Sequence, residues 1–148
     1  MRIIIDADGC PVKDEVYRIA ERHRVRVVLV SNSWMRAPRA DWLERVVVDG
    51  GFDAADDWIA EHAAAGDIVV TGDIPLAARC LKARARVLDP RGRVHTDDSI
   101  GEALANRALL AHLRELGTVT GGPAPVGNRD RSRFMQQLDE LLRRAAAG

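Results

Sequence analysis

Apolar residues along this chain fall into short unbroken runs, separated by stretches in which they recur every three or four positions. The runs are residues 2–5 (RIII), 26–30 (RVVLV), 45–48 (RVVV), 67–71 (DIVVT) and 85–88 (ARVL), and their length and β-branched content predict buried strands. Between them lie helical spacings. Val12, Val16, Ile19 and Ala20 follow Pro11, a residue suited to the first helical position, and Ala55, Trp58, Ile59 and His62 share one side of a helix predicted over 53–65. Residues 74–82, 97–116 and 129–145 complete the helices, the last with a stripe of Phe134, Leu138, Leu141 and Leu142. The segment 117–127, GTVTGGPAPVG, holds four Gly and two Pro and reads as a long loop. Continuously apolar strands alternating with helices indicate parallel βαβ units covered on both faces. The expectation is an α/β fold with three α/β/α layers, a mostly parallel sheet of about five strands, and one domain over residues 1–148 whose last helix docks on the sheet layer.

Composition narrows this picture only slightly. The 148 residues suit one core, with 47% hydrophobic and 30% charged side chains and no repeat or low-complexity tract. No apolar run reaches membrane-spanning length and the first residues lack a signal-peptide pattern, so a cytoplasmic protein without membrane contact is expected. Cys10 and Cys80 form no C-x-x-C pair, which argues against a zinc site or disulfide framework and agrees with a reducing compartment.

Charge changes the picture more. The formal net charge is zero, yet residues 49–73 carry seven acids and no Lys or Arg, while residues 79–93 carry six basic side chains against Asp89 alone. Residues 18–45 add seven arginines against three acids. An acidic centre flanked by basic segments suits an enzyme that holds a cation on carboxylates and a polyanion on arginines; a patchwork of solvated faces is the structural alternative.

In a parallel sheet, ligands bind outside the carboxyl ends of the strands. Asp6 and Asp8 follow the first strand, Asp49 and Asp53 the third, and Asp73 the fourth, so acids arrive repeatedly at one edge. Asp53, Asp56 and Asp57 share a helical turn. Two carboxylates about 4 Å apart repel by about 4 kcal/mol at an effective dielectric of 20, so a cation among them is expected. Oxygen ligands without His or Cys point to Mg²⁺ or Mn²⁺ and to metal-assisted phosphodiester hydrolysis. Each acid also has a structural use. Asp8 can form an Asx turn, Asp53 can cap a helix with Asp56 completing a capping box, and Asp73 can cap the helix containing Pro75. Asp6 caps nothing obvious. Cys10 lacks a neighbouring base and reads as a packed thiol, and the four histidines show no ligand spacing. Trp34 can stack on a base or anchor its loop. Arg129, Arg131 and Arg133 at the start of the last helix, with Asn32 after the second strand, are candidates for nucleic-acid contact.

The blocks DADGCPVKDEVYRIAER, GGFDAADDWIAEHAAAGDIVVTGDIPLAARCL, LDPRGRVHT, TGGPAP and NRDRSRFMQQLD occur in order over nearly the whole chain. Together they resemble the YaiI/YqxD family of bacterial proteins, which is grouped by fold with PIN-like domains and whose own function is unknown. The resemblance implies a PIN-like fold and, through the metal-dependent ribonucleases among PIN relatives, RNA as partner. It places the first PIN-type acid on Asp6 with Asp8 beside it, the central acids on Asp53 and Asp56, and a further acid on Asp73, since TGDIPLA is similar to T-x-D-x-x-L-A. The fourth acid that often follows in PIN sites has no counterpart in 74–78, which leaves Asp56 or Asp57 for that role. The resulting expectation is a Mg²⁺- or Mn²⁺-dependent nuclease using Asp6, Asp8, Asp53, Asp56 and Asp73, with oligomeric state open and a homodimer allowed. IIIDADGCPV also resembles the nucleophile loop of haloacid-dehalogenase-like phosphatases, with Asp6 as nucleophile and Asp8 as general acid; the later motifs of that family are missing. A non-catalytic RNA-binding or interaction module is the third reading.

Overall fold

Strand β1 (Arg2–Asp6) runs through the middle of the sheet, and Ile3, Ile4 and Ile5 are fully buried. The structure is a computed structural model describing residues 1–118, 121–122 and 124–147. Each isoleucine removed from water contributes about 1.5–3 kcal/mol. Consecutive burial is possible because helices cover both faces of the sheet. Ile3 and Ile5 meet α1 (Lys13–His23) and α5 (Asn128–Ala147) on one side, and Ile4 meets α2 (Ala54–His62) and α3 (Ile74–Lys82) on the other.

The sheet has six strands in the order β3-β2-β1-β4-β5-β6. These are β2 (Arg26–Ser31), β3 (Leu43–Val47), β4 (Ile68–Val70), β5 (Arg86–Leu88) and β6 (Val94–His95) around β1. The first five are parallel, with Ile5 facing Leu29 on one side and Val70 on the other. The fold is α/β with three layers. Strand β6 is an addition to the expected five: it pairs antiparallel with β5 through Val87↔His95 and Leu88↔Val94, and two residues are too few for any hydrophobic period to register.

The helix boundaries lie close to those read from the sequence. Helix α1 begins at Lys13, two residues after Pro11, and ends on Arg24 in the left-handed conformation at φ 56°. Helix α5 docks through Phe134, Leu138, Leu141 and Leu142, all within the core cluster that contains α1. Helix α4 (Asp97–Glu115) opens with a reciprocal cap between Thr96 and Ser99 and packs along α3, with Ile100 partly buried against the core cluster there and no fully buried residue of its own. Of the Gly/Pro segment 117–127, residues 119, 120 and 123 lie outside the described residues. Among the described residues, no helix is long and apolar enough to cross a membrane.

The turn from β5 to β6 is pressed against α5. Gly92 there has φ 89°, and a Cβ at that position would stand 2.7 Å from Arg133 Cγ and 2.8 Å from the backbone of Arg133 and Phe134. Gly92→Ala therefore combines a left-handed backbone with a clash that backbone atoms cannot relieve, and should lower the unfolding free energy by about 1–3 kcal/mol in urea denaturation.

Candidate active site

The strand order reverses direction at β1 and β4, because the chain winds outward through β2 and β3 and then returns to the other side of β1. Such a switch point opens a crevice beyond the carboxyl ends of the two central strands. Asp6 ends β1 and Asp73 follows β4 by three residues, so the topology itself brings these two acids together. The 3₁₀ turn Ala7–Gly9 carries Asp8 to the same edge, and the first turn of α2 supplies Asp56. Asp6, Asp8, Asp56 and Asp73 line one cavity of about 480 Å³ with Asn32 and Phe52.

Three of these carboxylates are oriented by hydrogen bonds that engage one oxygen each. Thr71 Oγ1 donates to Asp6 Oδ2 at 2.8 Å, the Asn32 amide to Asp8 Oδ2 at 2.9 Å, and the Leu76 amide to Asp73 Oδ1 at 3.0 Å. The cap on α3 and the acid at the cavity are thus the same residue. Thr71 is almost completely buried, and its Oγ1 also accepts from the Asp73 amide at 3.0 Å. One hydroxyl consequently couples the ends of β1 and β4. Asn32 has a comparable place: besides its contact to Asp8, its Oδ1 accepts from the Ala55 amide at 3.2 Å, tying α2 to the loop after β2.

Neither composition nor spacing marks Thr71 or Asn32 as a positioning group, and only the parallel pairing of β1 with β4 places Thr71 beside Asp6.

Electrostatics at the cavity follow from burial first and from crowding second. Burial raises the Asp6 carboxyl above its ordinary value; the Thr71 hydrogen bond opposes this, while the Asp73 and Asp8 charges add to it. Asp56 is pushed up to about 6, by burial first and then by Asp6, Asp73, Asp53 and Asp57. The protein thus holds like charges together at a cost, a pattern concentrated at functional sites.

Other acids of residues 49–73 occupy different places. Asp53 stands at the N-cap of α2 without a side-chain capping bond, and it lines an adjoining cavity of about 380 Å³ with Asp56, Asp57 and Asp73. Asp57 pairs with Arg79 at 2.8 Å, which leaves Asp56 as the member of that turn facing the central carboxylates. Asp49 is exposed beyond the end of β3, an edge strand remote from the switch point in strand order. Asp67 lies at the opposite edge of the sheet, where it accepts from the Ala64 amide at 3.0 Å and from Arg2 at 3.4 Å.

The basic candidates divide similarly. Arg131 is a structural tie, donating to Glu15 at 3.0 Å and to the Pro11 carbonyl at 2.7 Å. Arg129 and Arg133 are exposed on α5 and do not line the acidic cavity. Trp34 is exposed with the Arg45 guanidinium 5.2 Å above its ring. The Cys10 and Cys80 thiols are buried and pushed up to about 11 and about 12, chiefly by that burial.

A family model described as uncharacterized BCR, YaiI/YqxD family, matches residues 4–144. The chain belongs to the YaiI/YqxD family. Proteins of the same family, each called UPF0178 protein, are similar over nearly the whole length. The Caulobacter vibrioides NA1000 protein is 55% identical over 143 residues, covering 97% of this chain and 94% of the relative. The Brucella ovis protein is 55% identical over 148 residues, covering 99% and 92%. The match therefore spans the acidic cavity, α4 and α5 together. No solved structure matches.

Two outcomes test this description. Thr71→Val keeps the side-chain shape but removes the donor to Asp6 and the acceptor of the Asp73 amide, and should cost about 1–3 kcal/mol of stability by denaturant unfolding, with Thr71→Ser recovering most of it. Both cysteines should react with an aromatic disulfide reagent only after unfolding, since the nucleophile is the thiolate and burial suppresses it; rapid reaction of the native chain would contradict the packed placement.

Proposed function

We propose that the acidic cavity holds a divalent cation, Mg²⁺ or Mn²⁺, and hydrolyses phosphodiester bonds of nucleic acid, RNA above all. The observation that carries this reading is the meeting of Asp6, Asp8, Asp56 and Asp73 in one cavity at the switch point, with no Lys or Arg among the residues lining it. Like charges at such a place are relieved either by protonation or by a cation, and hard carboxylate oxygens select Mg²⁺ or Mn²⁺.

The fit is one of donor type and charge. Among the described residues, no three His, Cys, Asp or Glu side chains already form a group arranged to hold a metal ion. Asp6, Asp8 and Asp73 each commit one oxygen to a protein donor, and their second oxygens, with Asp56, would supply the ligands. Asp53 contributes charge from the adjoining cavity. A bound cation would offset charge on the scissile phosphate and lower the pKa of the attacking water.

The protein's own groups have distinct parts in this reading. Thr71 orients Asp6, Asn32 orients Asp8, and the Leu76 amide orients Asp73, so three acids enter the reaction with little freedom left to lose. Phe52 is 93% exposed at the rim of both acidic cavities. A bare aromatic ring beside an anionic centre suits stacking on an unpaired base, which favours a single-stranded substrate.

The double variant Asp6→Asn with Asp73→Asn should fold and lose Mn²⁺-dependent cleavage of single-stranded RNA by about 10²-fold or more. In calorimetry, Mn²⁺ at about 100 times its Kd should stabilise the unsubstituted chain by about 2.7 kcal/mol and leave the double variant unmoved. Metal-independent phosphate release with a covalent aspartyl intermediate on Asp6 would replace the nuclease reading with the phosphatase one. RNA binding that survives both chelation and the double substitution, without cleavage, would leave a binding module. Phe52→Ala should weaken single-stranded RNA binding by about 1–3 kcal/mol in fluorescence anisotropy.

A further inference from the structure

A third cavity, of about 550 Å³, adjoins the one lined by Asp6, Asp8, Asp56 and Asp73: Gly9 and Gly72 line both. Its character is opposite. Arg91, Arg93, Arg107, His95 and Asn106 line it, over a floor that includes Pro11, Pro90 and Leu110. The strand-to-strand turn 89–93 and the middle of α4 build it, which gives a place to two features that the acidic site leaves unused: the basic run of residues 79–93 and a long helix with no buried residue.

The charged groups of this cavity are not equally committed. Arg91 is spent on structure, pairing with Asp130 at 2.8 Å and donating to the Ala124 carbonyl. Asp89, the one acid in the lining, accepts from the amides of Arg91 at 2.9 Å and Arg93 at 3.0 Å and so holds the turn. Arg93 and Arg107 are exposed and make no ion pair with any described residue. His95 is only 9% exposed, and its Nε2 is buried without a hydrogen-bond partner among the described residues. A buried polar nitrogen left unpaired is costly, and the ring that carries it lines the cavity. Arg107 also lines the adjoining acidic cavity with Asp53, Asp56 and Asp73, so one guanidinium borders both halves of the crevice.

We infer that the Arg93–His95–Arg107 cavity is a phosphate subsite that receives the terminal phosphomonoester of a nucleic-acid strand, whose next phosphodiester then lies at the carboxylates across Gly9 and Gly72. Two uncommitted guanidiniums match the charge of about −1.5 to −2 on a phosphomonoester, whereas an internal diester carries one negative charge. The prolines and Leu110 offer apolar surface to the sugar and base. The ligand's being a strand end rests on the nuclease reading of the neighbouring acids; the affinity for phosphate rests on the arginines and His95 alone.

The test uses the full chain in EDTA, so that no metal-dependent step contributes. Trinucleotides of one sequence carrying a 5′-phosphate, a 3′-phosphate or neither, and inorganic phosphate as a separate arm, are titrated while the His95 ring and the arginine side chains are followed by NMR. One of the phosphorylated trinucleotides should bind at least tenfold more tightly than the unphosphorylated one and shift the His95 ring. Arg93→Gln with Arg107→Gln should remove that preference while circular dichroism is unchanged. Equal affinity for all three trinucleotides, or a preference that survives the double substitution, overturns the subsite. Inorganic phosphate binding as tightly as the best trinucleotide overturns the assignment to a strand end. Should the double variant fail to fold, the wild-type comparison of phosphorylated and unphosphorylated strands decides alone. Absence of Mn²⁺-dependent cleavage by the wild-type chain would remove the nuclease reading and leave this metal-free preference to stand or fall separately.

Discussion

The parallel pairing of β1 with β2 on one side and β4 on the other is the constraint on which the carboxyl edge of this protein depends. Register places Asp6 opposite Val30 and sets Ile5 against Val70, so the residues just past these strands have few positions open to them. Thr71 then closes the gap with two hydrogen bonds, one to the Asp6 carboxylate and one from the Asp73 amide. Deep burial of the isoleucines beneath makes the arrangement stiff, because a shift of one residue in β1 would exchange the faces on which all three pack. The acids are therefore held by the sheet core and not by one another.

Two opposite electrostatic environments share the crevice that this pairing opens. On one side, burial and the neighbouring carboxylates raise Asp6 and Asp56 above their ordinary values; on the other, Arg93 and Arg107 stand without acid partners among the described residues, beside a buried histidine nitrogen. Gly9 and Gly72 line both cavities. Two acids at the crevice are paired within the protein: Asp57 has its own arginine in Arg79, and Asp89 is satisfied by backbone amides.

The structural and chemical uses of the acids turn out to be less exclusive than their sequence positions suggest. Asp73 caps α3 and lines the cavity at once, so a helix N-terminus supplies the bond that orients a candidate ligand. Asp53, whose position reads as a cap, makes no capping bond. Asp8 finds its donor in Asn32, twenty-four residues away, instead of in its own turn. Local spacing can propose a cap, but whether the side chain takes it depends on which donors the fold brings near.

The sequence by itself determined the fold class, because unbroken β-branched runs alternating with helical spacing admit only a covered parallel sheet, and the family, because ordered blocks span the chain. Strand ends of a parallel sheet all point the same way, which marks Asp6, Asp8, Asp49, Asp53 and Asp73, with Asp56 on the following turn, as acids for one edge; of these, Asp6, Asp8, Asp56 and Asp73 share one cavity, Asp53 lines the adjoining one and Asp49 is exposed away from both. The tertiary structure alone decided the rest. Which of Asp56 and Asp57 faces the cavity depended on Arg79 from the next helix; the tie of Arg131 to α1 depended on Glu15, more than a hundred residues away. Strand β6, Thr71 as the link between Asp6 and Asp73, and the meeting of the turn 89–93 with α4 around His95 are all contacts between segments distant in the chain. Hydrophobic periodicity reports which side of an element is buried, and it carries no record of what that side will touch.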